Sequence, residues 1–340
     1  MMRQLTVRKR SAGLSAMSLA VLLAVLSMLQ PRRAMAQDAP TAPVPAAAVD
    51  AKAPPSLAGD ERWRRGVAAW RTERERQIDA PDGWLTLVGL EWLKSGANSV
   101  GAAQDNQIRV RAKAPDHIGL LTVSGKNVQL TAPSGGFPPD LMVDGKPAQE
   151  GPLSVEKSPL STISWHSVSM VVLNRGGRYV LSIRDAESPA RTNFHGLNWY
   201  APDPKYRVTA TWTPYTPPRI VKIPTVLGTT LDLPSPGFVE FVLDGTPLNL
   251  EPVVEKGEPG TLFFILRDVT SEITSYGTAR YLHTGLPDHG LSQPGQLTLD
   301  FNLLENSPCA YTTFASCPLP PDQNQLPVAL EAGERLYTPH

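Results

Sequence analysis

The spacing of apolar residues changes several times along the chain. An apolar run extends from about Leu14 to Leu29. From Asp60 onward, Trp63, Val67 and Trp70 fall at i, i+4 and i+7, one face of an α-helix. Arg and Glu fill the opposite face through Arg76, and Asp79-Ala80-Pro81-Asp82-Gly83 ends the helix. After Gly83 the period falls to two. Strands are predicted at Trp84 to Val88, Gln107 to Arg111, Ile118 to Val123 and Val128 to Thr131, the last two joined by a turn at Ser124-Gly125-Lys126-Asn127. Ser167 to Leu173 and Arg178 to Ile183 alternate about Asn174-Arg175-Gly176-Gly177, a hairpin signature. Tyr206 to Thr213, Ile220 to Ile223, Phe238 to Leu243 and Leu248 to Val253 follow, with Asp244-Gly245 as a turn between the last two. Thr261 to Arg267 and Gln296 to Phe301 complete the series.

About a dozen short strands with turns between them predict a mainly β protein: an N-terminal helix, then one or two antiparallel β-sandwich or barrel modules. Proline supports this. The chain has 34 in 340 residues, about twice the usual share, and proline disrupts helices. Apolar signal is weakest in the Gly- and Pro-rich stretch from Pro133 to Pro159. That stretch divides a helix and small β module at 59–159 from a larger β module at 160–337, which carries the candidate site.

Charge changes the picture at the N-terminus. Residues 1–36 hold Arg3, Arg8, Lys9, Arg10, Arg32 and Arg33 and no acid. A basic segment, an apolar run and Ala34-Met35-Ala36 form a secretory signal with cleavage before Gln37. The expected destination is the periplasm or the medium. An uncleaved anchor is the alternative, because the run approaches spanning length. Residues 37–58, rich in Pro and Ala, read as a semi-extended tether. Outside the leader, 26 basic residues face 32 acidic ones, a net charge near −6. Nucleic acid is excluded as a partner, because no basic field exists to hold it. No second apolar run of spanning length occurs, so no integral membrane segment is expected after cleavage.

Two long segments carry a resemblance. One runs from Arg184-Asp185-Ala186 through Arg191-Thr192-Asn193-Phe194-His195-Gly196-Leu197-Asn198-Trp199-Tyr200 to Pro202-Asp203-Pro204. The other includes Leu299-Asp300-Phe301-Asn302, Asn306, Pro308-Cys309-Ala310-Tyr311, Cys317-Pro318-Leu319-Pro320-Pro321, Asn324 and Ala332-Gly333-Glu334. Together they resemble the bacterial domain-of-unknown-function family 1684, over roughly residues 60–335. Asp268, Thr270, Tyr276 and Arg280 match a third family segment, while Glu272 and Ala279 stand where that family usually has glycine. The resemblance implies kinship and brings no activity with it. Gly101 and Asn106-Gln107-Ile108-Arg109-Val110 also resemble the start of a forkhead-associated domain, a phosphothreonine-binding β-sandwich. Ala102 and Asp116-His117-Ile118 replace that family's anion-binding groups, so a similar sandwich is implied without phosphopeptide binding.

Candidate chemistry is sparse. No Gly-x-Ser-x-Gly, His-Glu-x-x-His, P-loop or Gly-x-Gly-x-x-Gly occurs, so no cofactor is expected. Cys309 and Cys317, eight apart in an exported chain, read as a disulfide; a thiolate nucleophile or part of a metal site are the sharper alternatives. His283 and His289, with Asp288, read as solvated loop residues before metal ligands. Asp300 and Asn302 fall on one face of a strand and precede Asn306, an oxygen-rich group suited to a polar ligand or to turn capping. Arg191, His195 and Trp199, with Tyr200, sit in a segment too irregular for a strand. Joined by Tyr276 and Arg280, they form an anion or sugar platform, with arginine as fork and tryptophan as stacking face; the alternative is an Arg–Asp buttress. Three functions follow. The first is an exported β-rich binding protein for a small polar or anionic ligand, using Arg191, His195, Trp199, Tyr276, Arg280, Asp300 and Asn302. The second is an exported hydrolase-type enzyme with Asp300, His195 and Asp268 as acid or base and Cys309 as nucleophile. The third is a structural envelope protein with no small ligand.

Overall fold

The computed structural model describes residues 57–258 and 260–338. The leader and nearly all of the tether therefore lie outside the described residues. Helix α1, Leu57–Ile78, is the first element among the described residues. It has no internal proline, and its inward stripe runs Trp63, Val67, Arg74 and Ile78, all buried. Pro81 prevents its continuation. Among the described residues, no helix is long and apolar enough to cross a membrane.

Eleven strands follow: β1 Leu87–Trp92, β2 Gly96–Gly101, β3 Ile108–Arg109, β4 Gly119–Ser124, β5 Asn127–Thr131, β6 Met142–Val143, β7 Lys146–Pro147, β8 Gly151–Leu153, β9 Thr162–Trp165, β10 Val168–Arg175 and β11 Arg178–Asp185. They form two sheets, ordered β1-β11-β10-β9-β6-β7 and β3-β2-β4-β5-β8. The two share a core of Val100, Leu121, Leu130, Ile163, Met170, Leu181 and neighbours. This core runs past residue 160 to Ile183. Trp84 to Thr86, expected as strand, form a 3-10 turn instead. Thr86 Oγ1 donates to Gly83 O at 2.7 Å, and Arg184 donates to the same carbonyl at 2.6 Å, holding the turn closed.

A short helix α2, Pro189–Thr192, leads into β12 Arg207–Pro224, β13 Thr230–Leu243, β14 Thr246–Leu250, β15 Leu262–Leu266, β16 Arg280–Thr284, β17 Gly295–Asp300 and β18 Glu305–Asn306. These form sheets β14-β13-β12-β17 and β15-β16-β18. Trp212, Phe241, Leu250, Phe264, Leu282 and Leu299 fill the space between them. None of the four sheets closes into a barrel. The stretches expected as two strands, Tyr206 to Thr213 and Ile220 to Ile223, are one long strand with a register shift between Pro214 and Arg219. Its far half pairs with residues 230–235 as an arm. The arm lays Ile223, Val221 and Leu233 over Phe263, Ile265 and Tyr281, the outer face of β15 and β16.

Cys309 and Cys317 are bonded to each other. Their loop ties three parts of the molecule together. Thr312 donates to Leu87 O at 2.8 Å, Val226 N to Cys317 O at 3.0 Å, and Tyr281 OH to Pro318 O at 3.0 Å. Closing so short a loop stabilises by about 2–3 kcal/mol on a chain-entropy argument. The Cys309→Ser/Cys317→Ser variant is expected to lose that much in urea unfolding. The native chain should fall to the same midpoint when reductant is added; a midpoint unmoved by both changes would contradict it.

Candidate functional site

Polar side chains of α1 stitch the helix to the second module. Trp63 Nε1 donates to Asp300 Oδ2 at 2.6 Å and Arg64 to Pro202 O at 3.0 Å. Arg71 donates to Tyr200 O at 2.9 Å and lies over the Trp199 ring. Glu75 Oε1 accepts from Trp199 Nε1 at 2.8 Å and from Leu197 N at 3.1 Å. One turn along, Arg74 is buried and reaches Glu334 at 2.9 Å and Glu305 at 3.0 Å.

The residues expected to bind ligand are distributed along this frame. Trp199 and Asp300 both meet α1, through Glu75 and Trp63. Asp300 and Asn302 come together, but as a turn cap rather than on a strand face. Asp300 Oδ1 accepts from Asn302 N at 3.1 Å and from Asn302 Nδ2 at 2.9 Å, and Asn302 also bonds both backbone groups of Asp203. Arg191 packs elsewhere, on the end of α1, donating to Asp79 O at 2.6 Å and Ala186 O at 2.7 Å. Arg280 is fully buried and donates to Asp268 at 2.8 Å and to Leu330 O at 2.9 Å. His195 is exposed in the loop after α2, and Tyr276 is half-buried in the turn before β16. Asp268, an acid or base candidate, accepts from Thr270 N, Thr270 Oγ1 and Leu330 N. Cys309 is held in the disulfide. His289 lies beside Asp288 and Pro294 O, whereas His283 lies within β16 rather than in a loop. Among the described residues, no three His, Cys, Asp or Glu side chains are placed to hold a metal ion.

A different group of side chains does converge, one that no spacing in the sequence announces. Glu334 is fully buried; its Oε2 accepts from Asn306 N at 2.8 Å and from the Tyr311 hydroxyl, and its Oε1 from Arg74. Gly333 makes room for it. With φ at +75° and a would-be Cβ only 2.3 Å from Leu304 O, that position accepts glycine alone. Arg74 passes the chain on to Glu305. Glu305 Oε1 lies 3.6 Å from His283 Nδ1, and Glu255 Oε2 lies 3.5 Å from His283 Nε2. The His283 ring stacks on Phe263, its partner across the β15–β16 ladder. Tyr311, Glu334, Arg74, Glu305, His283 and Glu255 thus form one polar chain. Its first members are buried, while the His283 and Glu255 side chains are each 42% exposed.

The charges respond to this setting. Burial pushes the Glu334 carboxyl up, against the pull of Arg74. Burial opposes the Arg74 charge, but Glu305 and Glu334 outweigh it and raise its pKa. Burial and the neighbouring Glu334 push the Tyr311 hydroxyl well up. For His283, burial lowers the pKa, but Glu255 and Glu305 prevail and raise it, with Arg74 acting against them.

Residues 192–335 match the family model described as protein of unknown function (DUF1684). The match begins well after residue 60, so the first module and α1 lie outside it. An uncharacterized protein from Haloarcula marismortui, solved in solution by NMR, is 38% identical over 43% of this chain and 78% of that one, with a TM-score of 0.37. The FhaA FHA domain, solved in complex with the intracellular domain of Rv3910, is 19% identical over 28% of this chain and 97% of that one, with a TM-score of 0.19. No curated protein matches. Glu255, His283, Glu305, Tyr311 and Glu334 all fall in the matched segment, and Arg74 reaches them from outside it. Through residues 192–335, the chain belongs to the family of proteins of unknown function DUF1684.

Proposed function

We propose that this is an exported β-rich protein that binds a small polar ligand at the exposed end of the chain of polar residues, His283 and Glu255. Export rests on the leader at residues 1–36. The ligand site rests on one observation: a buried ionic chain surfaces at a half-open histidine with a carboxylate facing each ring nitrogen. Burying Arg74 and Glu334 is costly, and replacement of such pairs by apolar residues is often neutral or stabilising. Ionisable groups with displaced pKa values gather at functional sites. Arg191, Arg280, Asp300 and Asn302 serve this reading as framework, because their polar groups bond within the fold. A hydrolase has less support, because the disulfide occupies the one cysteine named as nucleophile.

Imidazole-labelled protein screened by NMR against small amines, amino acids, sugars and carboxylates tests this. The expected result is a ligand that shifts the His283 signals and loses its binding in the Glu255→Gln variant. A ligand that binds and leaves His283 unmoved would place the site elsewhere, and a screen with no His283 shift at all would remove the proposal.

A further inference from the structure

An imidazole has two ring nitrogens and, when neutral, one proton to share between them. Both nitrogens of His283 face carboxylates, Nδ1 toward Glu305 and Nε2 toward Glu255. Only the protonated ring can donate to both. When the proton leaves, one carboxylate meets a lone pair and must be released.

The structure determines which one. Glu305 is held from behind by Arg74 at 3.0 Å, and its side chain is only 16% exposed. Glu255 lies outside any strand, at the start of the turn closed by Glu258 N to Glu255 O. Among the described residues, the Glu255 carboxylate has no partner besides His283. Glu255 is therefore the mobile member.

We propose that Glu255 and His283 form a proton-gated subsite for a small organic cation with N–H donors, such as an alkylammonium group. Protonated His283 occupies Glu255 and closes the subsite. Neutral His283 frees Glu255, whose carboxylate then accepts from the ligand's N–H groups, with Glu305 adding negative potential beside it. The charged surroundings agree. From α1 the ring faces Arg74, which is engaged by Glu305 and Glu334; from β18 it faces Glu305; from the turn it faces Glu255; and β15 offers the uncharged Phe263. Tyr281, two residues along β16, directs its hydroxyl to Pro318 O instead. A metal ion suits the arrangement poorly, because the two carboxylates address opposite nitrogens of one ring.

This inference rests on the site proposed above and adds its ligand class and its pH response. Butylammonium and tetramethylammonium, titrated into the full chain by calorimetry between pH 5.5 and 8.5, are the probes. Butylammonium is expected to bind about tenfold more tightly for each pH unit gained below the His283 pKa and then to level off, releasing one proton per ligand below it. Tetramethylammonium, with no N–H, is expected to bind far more weakly. His283→Gln should abolish the pH dependence while binding persists, and Glu255→Gln should abolish binding at every pH. A pH-independent affinity in the native chain, undiminished binding in Glu255→Gln, or no binding of butylammonium at any pH would overturn the inference. If another ligand still shifts His283 in the screen, the site stands and only its ligand class and gating fall.

Discussion

Replacing Arg280 by alanine is expected to cost about 3–5 kcal/mol of folding stability, the scale on which a broken buried ion pair destabilises. Domains have about 5–15 kcal/mol in all, so the variant should approach unfolding at room temperature. Neither Arg280 nor Asp268 exposes any side chain in the pair. The guanidinium also gathers the carbonyls of Leu330, Ala332 and Glu334, fixing the C-terminal segment that delivers Glu334 to its site. Alanine removes the guanidinium from three carbonyls and a buried carboxylate, and of the carbonyls Leu330 O keeps Ala332 N as a donor at 2.8 Å. Thr270 and Leu330 still donate to Asp268, but hydrogen bonds alone do not replace the cation. Urea unfolding measures the loss. The Arg280→Met/Asp268→Asn double variant should be less damaged than Arg280→Ala, since it removes the stranded charge. A single variant with an unmoved midpoint would show that Arg280 is free to serve a ligand after all.

The parts of this fold that were legible in the sequence are those with local causes. The β10–β11 hairpin forms where Asn174-Arg175-Gly176-Gly177 promised it, because both glycines take positive φ and Asn174 Oδ1 accepts from Gly177 N. Helix α1 follows its tryptophan spacing, although its stripe continues through Arg74, which charge had assigned to the solvent face. Strand β16 escaped notice because a buried arginine at its first position breaks the alternation that marks a strand. Asp300 and Asn302 do cap a turn, one of the two roles their spacing offers, but they share no strand face: the chain turns after Asp300, and capping joins them. The polar chain from Tyr311 to Glu255 was invisible for a general reason. Its six members are drawn from residues 74, 255, 283, 305, 311 and 334, and only sheet pairing and the helix dock bring them together. The sole local hint was Ala332-Gly333-Glu334, where a glycine that must be glycine precedes a carboxylate that must turn inward.

Arg74→Met tests whether that chain is a strut or a conduit. Methionine keeps the length and apolar stem of the side chain but withdraws the cation from between Glu334 and Glu305. The expected loss at neutral pH is again about 3–5 kcal/mol. Its pH dependence has a definite sign. Burial already raises the Glu334 pKa in the folded state, and without Arg74 nothing comparable opposes burial. A carboxyl with a raised folded pKa contributes stability below its unfolded value, about 4.3, and that contribution is lost as pH rises through the folded value. The gap between variant and native chain should therefore narrow as pH falls toward 4 and widen as pH rises through the raised Glu334 pKa. Adding Glu334→Gln to the variant should recover stability at neutral pH. A strut would account for all of this. A conduit requires one thing more: Arg74 holds the His283 pKa down and shares Glu305 with it. In Arg74→Met, His283 should titrate at higher pH, read from its own ring signals by NMR. If stability falls while His283 titrates as before, the helix merely props up the module, and the surface histidine answers only to Glu255 and Glu305.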